Sequence, residues 1–210
     1  CVYQSAFTAL TTAAEVRPLE VFPRLAAMLQ PSSEASGAAD DAERRLKAAQ
    51  AVCQAAIRLG DALPPHAEAV MHALLVGARD GECAIRASSI ACLASVCSTL
   101  RFALHPWAVE VLECVESSLI GEPDEQVRQA TLALLAALLK ELGADALKLL
   151  PARQLRRLYV RARDARDDFS EGALTRQHAG SAVEMLDHLG RALVGGPPQL
   201  HAGFRKLRVV

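Results

Sequence analysis

Aromatic residues are scarce in this chain: Phe, Trp and Tyr make up 4% of its 210 residues. Period-two runs of Val, Ile, Tyr and Phe are missing, which excludes a sheet as the organising element. Six cysteines occur, Cys1, Cys53, Cys83, Cys92, Cys97 and Cys114, but no Cys-x-x-Cys pair. No Cys/His spacing therefore suggests a structural zinc. The sequence has no His-Glu-x-x-His, no Gly-x-Ser-x-Gly elbow and no Gly-rich phosphate loop. Gly195-Gly196 stands before two prolines and opens no helix, so it makes no phosphate-binding turn. Nothing pairs a nucleophile with a base. The expectation is a chain that is not an enzyme and takes no metal or cofactor.

A charge excess is missing too. Lys and Arg number 23 against 24 Asp and Glu, for a net charge of −1. Bulk charge thus predicts neither a nucleic-acid nor a membrane partner. The longest uninterrupted apolar run is Leu132-Ala-Leu-Leu-Ala-Ala-Leu-Leu139. A bilayer crossing needs about 20 such residues, so no membrane span is expected in this segment.

What the chain does have is Leu and Ala, which suit close-packed helices, and a repeat. Asp41-Ala-Glu-Arg-Arg-Leu-Lys47 returns as Asp80-Gly-Glu-Cys-Ala-Ile-Arg86, and again, shortened, as Asp124-Glu-Gln-Val-Arg128. The cations lie 39 and 42 residues apart (86 − 47, 128 − 86). A period near 40 with two helices per unit predicts an all-α solenoid of HEAT or armadillo type, with about four helix pairs. Such units stack because none can bury its apolar face alone.

The helices are predicted in order. Val2 to Val16 reads as the second helix of a repeat whose first helix lies upstream. With Cys1 at the start, the chain is expected to be the C-terminal part of a longer protein. Leu19 to Gln30 pairs with Ala42 to Arg58, across a polar insertion from Pro31 to Asp40. Pro65 to Val76 pairs with Glu82 to Thr99, and Pro106 to Ile120 with Asp124 to Leu142. A less regular group follows, over Ala144 to Leu150, Ala152 to Ala165 and Leu174 to Leu193. The array is taken as residues 1–194, and 195–210 as a flexible tail. The second helices should be the most buried, with Ile85, Cys92, Val96, Val127, Leu134 and Leu138 in the core. Most cysteines fall in these apolar segments, where free thiols act as small hydrophobes in a reducing compartment.

Two groups of charged residues stand out. Asp80, Arg86, Asp124 and Arg128 recur at one register. They read as a structural ladder, in which the cation pairs with an acid of an adjacent repeat or turn, most simply Asp80 and Asp124. The second group is the basic helix, with Arg153, Arg156, Arg157, Arg161 and Arg163. At 100° per residue Leu155, Leu158, Tyr159 and Ala162 share one face and Arg157 and Arg161 lie opposite. A solvated helix back is one reading, given Asp164, Asp167 and Asp168 nearby. A weak site for an acidic peptide or phosphate, on Arg153, Arg157 and Arg161, is the other.

Several segments carry a family resemblance. They are Ala56-Ile-Arg-Leu-Gly-Asp-Ala-Leu63, Arg79-Asp80, Arg86-Ala-Ser-Ser89, Leu100-Arg-Phe-Ala-Leu-His105, Glu125-Gln-Val-Arg-Gln-Ala130 and Leu155-Arg-Arg-Leu-Tyr159. Gln177-His-Ala179 and Ala182-Val-Glu-Met-Leu-Asp187 follow. In this order the chain resembles the C-terminal region of the transport and Golgi organisation protein 6 family. Residues 1–120 resemble the first, and 121–194 the second, of its C-terminal parts. The resemblance implies an armadillo-like array without catalysis. It implies a cytoplasmic adaptor, Golgi-associated or shuttling to the nucleus. One expected role is assembly or nuclear import of RNA polymerase II, through its subunits. The alternative is protein secretion and Golgi organisation through vesicle-coat (coatomer) subunits. An upstream membrane segment is left open.

Overall fold

The structure, a computed structural model, describes residues 2–31 and 38–195, and gives only the backbone for residues 2–7, 38 and 192–195. The described residues are all-helical, with no strand. In chain order the helices are α1 (Val2–Val16), α2 (Pro18–Met28), α3 (Ala38–Leu59), α4 (Ala67–Gly77) and α5 (Cys83–Leu100). They continue as α6 (Ala108–Leu119), α7 (Glu125–Leu142), α8 (Ala146–Leu149), α9 (Ala152–Asp167) and α10 (Ala173–Gly195). Tight 3₁₀ turns occupy Gly60–Ala62, Pro64–His66, Arg101–Trp107 and Gly143–Asp145. The insertion read between Pro31 and Asp40 lies mostly, and the tail after Gly195 wholly, outside the described residues.

Helices pack in sequential pairs: α2 on α3, α4 on α5, α6 on α7, and α9 on α10. A second set of contacts links the later member of each pair to the next, so that α1, α3, α5, α7 and α10 form a row. This row is where the core sits. Ile85, Ile90, Leu93 and Val96 of α5 and Val127, Leu134, Leu135 and Leu138 of α7 are all 1% exposed or less. Each such side chain contributes roughly 1.5–3 kcal/mol on leaving water. Cys92 is buried as well.

Small residues let the helices approach. A Cβ on Gly77 of α4 would lie 2.3 Å from Ser89 Oγ of α5. No other residue type leaves room for the α4–α5 contact as built.

The ends of the row helices repeat. Gly60 after α3, Arg101 after α5 and Gly143 after α7 have φ of 52°, 50° and 50°. Each turns the chain straight into a 3₁₀ segment. Glycine enters this region without steric cost, while a side chain there is strained. Arg101 is the position where sequence reading finds no stop signal.

Two predicted boundaries move. α3 begins at Ala38 rather than Ala42, which puts Asp40 and Asp41 in its first turn, where acids are favoured. α2 runs through Pro23, as the Leu19 to Gln30 reading has it, but ends at Met28 rather than Gln30. The lost backbone bond is offset by Phe22 and Leu25 on either side, each 1% exposed.

Candidate functional site

Charged side chains on the turns connect one helix pair to the next. Arg86 Nη1 donates to the backbone oxygens of Asp80 (3.0 Å) and Gly81 (2.9 Å) in the turn before it. Its Nη2 donates to Glu122 Oε1 in the following turn at 3.0 Å. Arg128 repeats this. Nη1 donates to the oxygens of Glu122 (3.0 Å) and Pro123 (2.8 Å), while Nε and Nη2 grip the Glu171 carboxylate at 2.9 and 3.0 Å. In α3 the two jobs are divided. Arg44 donates to the oxygens of Met28 (2.8 Å) and Gln30 (3.0 Å), and Arg45 pairs with Asp80.

The ladder therefore differs in its partners from the sequence expectation. The acids facing Arg86 and Arg128 are Glu122 and Glu171, not the side chains of Asp80 and Asp124. Asp80 takes Arg45 instead, and its Oδ1 accepts from the Glu82 N–H at 2.9 Å. Asp124 caps α7, accepting from the Val127 N–H at 3.0 Å. That bond holds its carboxyl below the usual carboxylate range. Lys47, aligned by sequence with Arg86, pairs with Glu43 of its own helix. The register cation of the first unit is Arg45, so the spacing is 41 and 42 residues (86 − 45, 128 − 86). Gly60, Arg101 and Gly143 recur at the same intervals.

Arg176 is the fourth residue of α10, as Arg86 is of α5 and Arg128 of α7. It faces no acid. Its guanidinium lies 5.6 Å from the centre of the Phe169 ring, and its buried Nε has no hydrogen-bond partner.

The basic helix α9 buries Leu155, Leu158 and Ala162 as its pattern requires, with Tyr159 half-buried. Its charged side does not simply face open water. Arg153, Arg156, Arg157 and Arg161 line a cleft of about 580 Å³ against α6. Leu119, Ile120, Leu158 and Val160 supply its apolar lining, and Glu116 and Asp164 its acids. Arg157 pairs with Glu116 at 2.6 Å. Arg153, Arg156 and Arg161 have no acid partner among the described residues. The residues Ile120 and Glu116 that complete this cleft are not visible in the basic-helix pattern, because they belong to α6 and the turn after it.

The first helices do not pack as a continuous row. α2 packs on α4, but α4 and α6, and α6 and α9, barely meet, and the cleft lies at the second of these gaps. Between α7 and α9 the chain inserts the Gly143–Asp145 turn and the four-residue α8. Other grooves lie elsewhere. One of about 700 Å³ is lined by Phe22, His66, Trp107 and Glu110. Another, of about 560 Å³, lies beside Leu155, Tyr159 and Leu186. The first gathers no arginine or lysine, and the second holds Arg156 and Arg191 beside Asp187.

Other chemistry is sparse. Among the described residues no group of three or more His, Cys, Asp or Glu side chains could hold a metal ion. Burial pushes the Cys97 thiol up to about 12 and also raises Cys114, so neither is a thiolate at neutral pH. By length and mean hydropathy of 1.5, the stretch Cys83–Leu119 has a membrane-crossing composition, which the shorter Leu132–Leu139 run did not suggest. Here it forms α5, the Arg101–Trp107 turn and α6, with α5 packed between α3 and α7.

The molecule is thus an all-helical protein whose helices pack against each other. No protein-family model matches the chain, and no solved structure matches it.

Proposed function

We propose that this chain is a helical-repeat array of HEAT or armadillo kind that acts as a non-enzymatic adaptor for protein partners. The observation that carries this reading is the double recurrence at 41 and 42 residues. An arginine that reaches forward to the next turn, and a left-handed residue that ends the same helix, keep one spacing. Two unrelated features with one period support stacked units more strongly than helix content does. A stacked array presents a preformed surface and loses little conformational freedom when it binds.

The resemblance to the transport and Golgi organisation protein 6 family supports the particular role: assembly or nuclear import of RNA polymerase II. The second reading, a vesicle-coat-associated trafficking component at the Golgi, comes from the same resemblance. Affinity purification of the tagged full-length protein separates the two. Polymerase subunits in the eluate support the first and coatomer subunits the second. Recovery of neither removes both.

A further inference from the structure

We propose that the cleft between α6 and α9 docks an acidic segment of a protein partner that carries a bulky aliphatic residue among its carboxylates. This rests on the reading of the chain as a protein-binding adaptor, and names the partner chemistry of one surface.

Two properties of the cleft argue for this occupant together. Its lining is apolar and open to water: Ile120 is 60% exposed and Val160 41%. An aliphatic side chain entering there removes both surfaces from solvent. Around it stand Arg153, Arg156 and Arg161, none with an acid of its own. Guanidinium groups beside an apolar surface hold carboxylates well, because the planar fork bonds two oxygens at once. Arg157 is already oriented by Glu116, so one wall of the cleft is fixed before anything binds. At about 580 Å³ the space suits a few side chains of one segment.

A nucleic acid fits less well. Its bases need aromatic platforms, and no Phe, Tyr or Trp lines the cleft. Phosphates would leave the apolar lining uncovered.

The test is fluorescence anisotropy with the full chain and a fluorescein-labelled peptide, Glu-Asp-Leu-Glu-Asp-Leu-Leu-Asp. Arg153→Glu and Arg161→Glu should each weaken binding by about ten-fold, and Ile120→Ser by a similar factor. Arg24→Glu, on α2 and not in the cleft lining, should bind as the wild type does. Circular dichroism and melting temperature identify any variant that fails to fold. Four results would overturn the proposal: no binding of the peptide, undiminished binding by folded Arg161→Glu, equal binding of a peptide with serines for leucines, or tighter binding of a short oligothymidine. The adaptor reading is scored apart. If the wild type recovers polymerase or coatomer subunits and Arg161→Glu recovers them equally, the cleft assignment falls and the adaptor stands. If the wild type binds the peptide but recovers neither, the cleft stands and those partners fall.

Discussion

Arg128 makes four hydrogen bonds from one guanidinium, two back to its own turn and two forward to Glu171. A lysine offers no planar fork and cannot reproduce this. Both side chains are largely shielded, at 27% and 13% exposure, so the pair should exceed an ordinary surface ion pair. In urea denaturation, Arg128→Met, Glu171→Gln and the double variant should show a coupling of about 1 kcal/mol. Strictly additive single costs would mean that the rung links nothing. Asp124 gives a pH signature. Its folded carboxyl titrates below the usual value of about 3.9. Its contribution is therefore complete above that value, and is lost as pH falls through the lower folded one. Asp124→Ala should melt below the wild type at neutral pH, and the gap should close in strong acid. A gap that persists at the lowest pH would show that the charge is not what caps α7. The ladder cations Arg86 and Arg128 were legible from the repeat. Their partners were not, because each turn offers more than one acid, and only the packed turns select Glu122 over Asp124 and Glu171 over Asp168.

Among elements, helices with a Pro start or a Gly stop were read to within a few residues, because those residues change backbone geometry wherever they occur. The end of α5 was not signalled, since Arg101 stands where α3 and α7 are followed by glycine. Holding Arg101 at φ 50° costs about 1–3 kcal/mol, and a glycine there would return roughly 0.4–1 kcal/mol of that through a freer unfolded chain. Arg101→Gly should therefore stabilise the protein by about 1 kcal/mol, seen as a higher melting temperature. A lower one would mean that the exposed arginine is held by interactions worth more than its strain. The cleft was only half legible. Pattern alone puts Arg157 and Arg161 opposite the buried face of α9, but the cleft they line also takes Glu116, Leu119 and Ile120 from α6 and the turn after it.

At the scale of the whole molecule, α5 and α7 have neighbours on both sides of the row, while α1 and α10 close its two ends among the described residues. In a stacked array stability is a sum of unit and interface terms. Amide exchange should then be slowest in α5 and α7, intermediate in α3, and fastest in α1, α2 and α9. One common rate across all helices would show instead that the molecule opens as a single unit. This gradient follows from the contacts along the row, and the sequence anticipated that the chain is helical and that its helices pack in pairs. The sequence did not indicate that the first helices, packed at α2 and α4, would not continue as a packed row through α6 and α9.

The arginine ladder also has a direction. Arg45, Arg86 and Arg128 each bind an acid that comes later in the chain, in the turn of the next helix pair. On the ribosome, where chains emerge and fold from the N-terminus, every rung therefore presents its cation first. Each new turn leaves the exit tunnel after the arginine that holds it in the folded protein.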